Sequence, residues 1–233
     1  MFNREVLERL LGKEWHISLS DYVSGRDFYQ LACKITELRK IKEIYPNREN
    51  IFRCFRETPY NKVKVVIAGQ EPYKEKDYND GLAFSNNLSK NISPTLKVIL
   101  KEVDNCYSEN IDRIDYGRLD LQDLSRWSSQ GCLLLNIALT IERGKVASHL
   151  DIWKNFTEEV FKALNLRSDI IIIFLGKEAK MYSKLINNPT ITLLSLVHPS
   201  SELYSPNQGF LNSEIFKEIN KEILARNQKE IIW

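Results

Sequence analysis

Four short apolar runs, at residues 63–67, 132–135, 170–175 and 191–197, constrain this chain more than any other feature of its sequence. They are rich in Ile, Val and Leu and mostly unalternated, as strands buried on both faces are, and such strands belong to parallel sheets. Helical patterns lie between them: residues 94–103, with Ser93 as a cap before Pro94, then 151–164, 178–186 and 214–225. Strands alternating with helices predict an α/β fold in which helices flank a central four-stranded parallel sheet. With 233 residues, 43% of them hydrophobic, the chain can bury one substantial core. The expectation is therefore a single domain over residues 1–233, with residues 1–50 as a helical layer on the sheet. Residues 26–45 read as one long amphipathic helix, and no strand is evident in the first sixty residues. Residues 86–91 and 201–209 read as exposed loops.

Composition removes several function classes. A net charge of +2 means that affinity for a polyanion has to come from a local basic surface, since the overall field is weak. Cys33, Cys54, Cys106 and Cys132 are scattered, with no Cys-x-x-Cys pair and no histidine at metal-ligand spacing, so neither a metal site nor a disulfide framework is expected. The first residues lack the apolar core of a signal peptide, and no run approaches the roughly 20 apolar residues of a membrane span. A monomeric protein of the cytoplasm, or of the nucleus in a nucleated host, with no cofactor and no membrane contact, is expected.

The strand ends carry the chemistry. The first run delivers Gln70-Glu71-Pro72-Tyr73, the second Asn136, the third Gly176-Lys177 and the fourth His198-Pro199-Ser200. In open parallel sheets ligands bind beyond the carboxyl ends of the strands, so these four polar clusters are expected on one rim. Each residue read alone has an ordinary structural explanation: His198 as a satisfied core histidine, Asn136 as a turn cap, Phe84 as core, Glu71 as the partner of a lysine. Together they offer an amide that donates and accepts, an aromatic face, a phenol, a histidine and a carboxylate. There is no phosphate-cradling Gly-rich loop and no Ser/His/Asp arrangement. That inventory suits a planar heterocycle stacked on a ring and read along its hydrogen-bonding edge, which points to nucleobase chemistry.

The same residues resemble the first family of uracil-DNA glycosylases. Gly69-Gln70-Glu71-Pro72-Tyr73 is similar to the family's Gly-Gln-Asp-Pro-Tyr, and seven residues separate it from Gly81-Leu82-Ala83-Phe84-Ser85. Ile92-Ser93-Pro94-Thr95-Leu96, the stretch from Trp127 to Asn136, Leu139-Thr140, Ser148-His149 before Trp153, and His198-Pro199-Ser200 follow in order. The resemblance runs from about residue 50 to the C-terminus and implies the three-layer α/β/α form of the sheet fold.

It also implies roles. Phe84 would stack on a flipped uracil, Asn136 would bond its pyrimidine edge, Gln70 would line the pocket, and Tyr73 would stand where a thymine methyl would point. His198 would donate to the carbonyl oxygen on which charge develops. Ser85, Ser93, Pro94, Lys177 and Ser200 would grip the DNA backbone; Lys97 and Lys101, beside the Ser93-Pro94 loop, are weaker candidates. DNA, single or double stranded, is the implied partner, with a protein inhibitor or a replication protein as a further one.

Three departures stand out. Glu71 replaces an aspartate that in the family orients the attacking water. Residues 74–80 lack the family's histidine and small residues, and Asp80 stands where histidine or glutamine is usual. The leucine that the family wedges into the duplex aligns with Glu202, leaving Leu203 one place late and Tyr204 beyond it. Three readings follow in order: a metal-free uracil-DNA glycosylase with water as nucleophile, a glycosylase for a modified or damaged pyrimidine, and a catalytically weakened DNA- or protein-binding module.

Overall fold

The computed structural model describes residues 2–89, 91–107 and 120–233. Its strands are β1 (Ile44–Tyr45), β2 (Val65–Gly69), β3 (Cys132–Asn136), β4 (Ile141–Glu142), β5 (Ile171–Leu175) and β6 (Thr192–Leu196). Its helices are α1 (Arg4–Leu11), α2 (Lys13–Ser18), α3 (Ser20–Val23), α4 (Arg26–Ile41), α5 (Arg53–Glu57), α6 (Pro94–Tyr107), α7 (Ser125–Ser128), α8 (Leu150–Asn165), α9 (Lys177–Lys180) and α10 (Ile215–Ala225).

The four apolar runs form one parallel sheet in the order β3-β2-β5-β6. Every residue of β2, β3 and β5 is buried, as expected of strands covered on both faces. β6 departs from that expectation. Its burial alternates although the opposite edge strand β3 is wholly buried, and Leu193, like Val197 just past its end, remains exposed.

Helices cover both faces of the sheet. On one face Ile67 and Ile173 meet Ile99 of α6 and Phe216 and Ile219 of α10. On the other, Phe174 of β5 packs against Phe161 of α8, with ring centroids 5.6 Å apart. The N-terminal helices join this second layer through an aromatic cluster in which Phe28, Phe52 and Phe55 surround Phe156. Burying rings of this size contributes about 1.5–3 kcal/mol each. Trp15 adds a fixed point, donating from Nε1 to the Thr58 carbonyl at 2.8 Å. One apolar cluster thus runs from Leu7 to Trp233.

Other local expectations are corrected. The helix expected over residues 26–45 ends at Ile41, where Lys42 turns extended (φ −135°, ψ 146°). Residues 44 and 45 then form a strand after all, because β1 pairs antiparallel with β4, and a residue before a proline favours extended backbone. The helix expected over 178–186 shortens to α9 and continues as a 3₁₀ turn over Met181–Leu185. Residues 86–91 are not uniformly exposed. Asn86 is buried, its Nδ2 donating to the Asn91 carbonyl at 2.7 Å.

Candidate active site

Sheet register sets the rim. Gly69 at the end of β2 lies opposite Asn136 at the end of β3, and Leu175 at the end of β5 lies opposite Leu196 of β6. The chain therefore leaves the sheet at neighbouring points as Gln70, Ile137, Gly176 and Val197.

A slot forms where β2 stops. A Cβ on Gly69 would sit 2.8 Å from Phe84 Cζ and 3.1 Å from Asn136 Oδ1, so only glycine lets that ring and that amide lie together over the strand end. Phe84 adopts φ 68°, a left-handed conformation costly for a bulky residue and typical of functional sites. The hydroxyl of Tyr73 holds it there, donating to the Phe84 carbonyl at 2.7 Å while accepting from Ser93 Oγ at 2.7 Å. Burial pushes the Tyr73 phenol up, so it stays protonated and can donate. Asn136 is 6% exposed, and its side-chain amide has no hydrogen-bond partner among the described residues. A donor and an acceptor so placed are open to the edge of a ligand.

His198 closes the other side, its ring centroid 5.7 Å from that of Phe84. A Cβ on Gly176 would come within 3.1 Å of His198 Cβ, so the turn after β5 fixes how closely the histidine approaches. The Ser200 N–H donates to His198 Nδ1 at 3.2 Å, and Ser200 Oγ lies 2.7 Å from the same nitrogen. Nδ1 is therefore an acceptor and the ring proton sits on Nε2. Burial lowers the imidazole pKa to about 4, so the ring is neutral at physiological pH and offers one N–H donor.

Glu71 is partly buried. Its carboxylate accepts the Ala147 N–H at 2.8 and 2.9 Å on its two oxygens, and Gln70 Nε2 at 3.3 Å. Burial raises its pKa above the usual carboxylate range, and these two donors work against that rise.

The residues expected to grip a nucleic-acid backbone divide into two groups. Ser85 and Ser93 are both only 1% exposed. Ser85 Oγ bonds Asp80 and accepts the Leu124 N–H at 3.1 Å; Ser93 Oγ caps α6 by accepting the Leu96 N–H at 3.1 Å. Their hydroxyls are thus committed inside the protein. Pro94 and Lys177 are exposed, and Ser200 is half-buried. The unexpected Asp80 organises its own loop: it accepts the Leu82 and Asn87 N–H groups at 3.0 and 3.1 Å and sits 3.4 Å from Arg53. Glu202 turns inward, accepting the N–H groups of Gln208, Phe210 and Leu211, and leaves Leu203 and Tyr204 outside, 47% and 88% exposed.

Sequence reasoning missed Ala147 and the inward role of Glu202. Nothing in either residue type signals the bond, which in both cases joins a carboxylate to a main-chain N–H.

A parallel sheet with an aromatic, amide and histidine slot at its carboxyl rim defines a nucleobase-binding α/β protein. Comparison with known proteins narrows this class. Residues 55–224 match the uracil DNA glycosylase superfamily, and the chain belongs to it. It is 38% identical to the uracil-DNA glycosylase of Clostridium beijerinckii over 226 residues, 96% of each chain. It is 34% identical to uracil-DNA glycosylase 1 of Listeria innocua over 223 residues, 95% of this chain and 97% of that one. The crystal structure of mimivirus uracil-DNA glycosylase superposes with a TM-score of 0.83 at 25% identity, over 100% of this chain and 89% of that one.

Proposed function

We propose that this chain extrudes uracil from DNA and hydrolyses its N-glycosidic bond, with water as nucleophile, as a step of DNA repair. The observation that carries the reading is the convergence of Phe84, Asn136 and His198 at one rim, with the Asn136 amide uncommitted. The family membership supports it from a separate direction.

The chemistry follows from the side chains. Phe84 supplies a face for the base to stack on, worth about 1–3 kcal/mol. Asn136 reads the pyrimidine edge, Gln70 lines the pocket beside it, and Tyr73 occupies the space that a 5-methyl group would need. As the bond between C1′ and the ring nitrogen breaks, its electron pair moves onto the base. The His198 Nε2–H donates to the carbonyl oxygen on which that charge collects, and a neutral donor suffices. Glu71 faces the positive charge growing on the sugar, orients the water that adds to C1′ and accepts its proton. The products are free uracil and an abasic site.

DNA is held by Pro94, Lys177 and Ser200 together with exposed main chain of their loops, contacts that position the strand and carry no sequence information. Ser85 and Ser93 serve by shaping those loops. Leu203 or Tyr204 fills the gap left by the extruded base. Mimivirus uracil-DNA glycosylase variants have been solved in complex with UGI, and we propose that this chain binds the same class of inhibitor.

The test is incubation with a uracil-containing oligonucleotide followed by alkaline cleavage. Strand scission at the uracil position is expected, suppressed by UGI; no abasic product at high enzyme concentration rejects the reading.

A further inference from the structure

Residues 140–149 leave the rim after β3, turn back through β4 and enter α8. Main-chain bonds to two distant parts of the protein hold this loop. β4 pairs with β1, and the Arg143 N–H donates to the Glu43 carbonyl at 2.8 Å, so the loop is fastened to the N-terminal layer. The Gly144 N–H donates to the Lys74 carbonyl at 3.0 Å, so it is fastened as well to the loop that carries Glu71. Inside the loop, Ser148 Oγ accepts the Glu142 N–H at 2.9 Å. At its far end Thr140 Oγ1 receives Trp153 Nε1 at 2.6 Å and lies 2.8 Å from His149 Nδ1.

Between these anchors Ala147 adopts φ 61°. A left-handed alanine costs roughly 1–2 kcal/mol, and such strain persists only where its surroundings enforce it. Here the strained residue aims its N–H at both oxygens of the Glu71 carboxylate. Apart from this N–H and the Gln70 amide, no group among the described residues bonds that carboxylate, and no lysine, arginine or histidine is paired with it.

We propose that the Ala147 backbone N–H is the positioning group for the Glu71 carboxylate, kept on aim by the clamp between β4 and the N-terminal strand β1. The inference rests on the reading of Glu71 as the water-orienting carboxylate. It explains the longer side chain: Glu71 reaches an N–H supplied by the facing loop. It also gives the N-terminal layer a part in the site, since β1 is half of the clamp. With no cation beside it, the carboxylate depends on this N–H both for its direction and for its charge.

The test replaces the Ala147 amide by an ester, using the α-hydroxy analogue of alanine at position 147, which exchanges the N–H for an oxygen and leaves every side chain in place. On a single-stranded uracil substrate we expect kcat to fall about tenfold or more with KM within about twofold, and the acid limb of kcat to move to higher pH. Ala147→Gly keeps the N–H and relieves the left-handed strain, so its kcat should stay well above that of the ester variant and its acid limb should not move with the ester's. In a Glu71→Gln background the ester should change kcat by less than about twofold, because the carboxylate charge that the N–H positions is already gone. An unchanged kcat and acid limb in the ester variant overturns the inference, as does an equal loss in the Glu71→Gln background. Wild-type kcat in Glu71→Gln alone would instead remove the catalytic reading of Glu71, a separate failure visible before the ester is made.

Discussion

The backbone N–H of Ser200 donates to Nδ1 of His198, and that contact decides which ring nitrogen carries the proton. With Nδ1 an acceptor and burial lowering the pKa to about 4, the imidazole is neutral with its hydrogen on Nε2. Nitrogen-15 NMR should therefore show a single Nε2–H tautomer from pH 5 to 8. Since one preorganised donor at a developing oxyanion is worth about 10²–10³ in kcat, His198→Ala should lose activity on that scale.

The same shift predicts a stability slope with a definite sign. In the unfolded chain His198 titrates near its ordinary value of about 6.5, so between there and about 4 the unfolded state binds the extra proton. Stability from this group is complete above about pH 6.5 and falls as pH drops towards 4, by on the order of 3 kcal/mol. Urea midpoints measured at pH 7 and pH 4.5 should differ more for the wild type than for His198→Gln. Equal differences would show that His198 is not the group responsible.

Gly69→Ala tests the slot directly. Its added methyl would meet Phe84 Cζ at 2.8 Å and Asn136 Oδ1 at 3.1 Å, so the ring or the amide has to move. A displacement of about 1 Å at a reacting site costs on the order of 10²-fold, so a loss of that size in kcat/KM is expected with the sheet intact by circular dichroism. Retention of full activity would mean that Phe84 and Asn136 do not act together on the base.

Sheet and slot were legible for a common reason. Central strands need unbroken runs of Val, Ile and Leu, and the residues that end those runs are forced to the rim; Gln70, Asn136 and His198 follow from that logic. β1 was not legible because its partner lies about a hundred residues away in β4, and two residues carry no pattern of their own. The alternation of β6 was masked by exposed apolar residues, Leu193 within it and Val197 just past its end. Ser85 and Ser93 have the chemistry of phosphate ligands, but they sit where the chain turns inward, and only the fold shows that their hydroxyls serve loops. Ala147 and Glu202 act through main-chain N–H bonds, which side-chain identity does not announce.

Glu71→Asp separates a tuned carboxylate from a decayed one. The shorter side chain retracts from the Ala147 N–H, now 2.8 and 2.9 Å from its oxygens, by about one methylene. A fall in kcat of about 10- to 100-fold is expected, with the acid limb moving up as the lost donor leaves the charge less supported. A gain in kcat would instead mean that aspartate is the better residue here and that Glu71 is a weakened substitute.

The loop after His198 yields the last prediction. Glu202, at the position where the family's wedge leucine would fall, is occupied as a buckle: its carboxylate accepts the N–H groups of Gln208, Phe210 and Leu211 at 3.2, 2.9 and 3.2 Å, which lower its pKa. From the other side Glu102, fully buried, accepts the Asn212 and Glu214 N–H groups at 2.6 and 2.8 Å. Two carboxylates thus pin residues 208–214, and the outward-facing apolar groups left on the turn are Leu203 and Tyr204. Tyr204 is the more exposed, and its planar ring can stack on neighbouring bases, a contact worth about 1–3 kcal/mol per base relative to alanine. Tyr204→Ala should therefore lower kcat/KM on duplex uracil-DNA by about tenfold or more while leaving single-stranded substrate within about twofold, and Tyr204→Trp should restore it. Leu203→Ala should cost less on the duplex. If Leu203→Ala instead takes the larger loss, the leucine expected from the sequence is the wedge and the ring beside it is not.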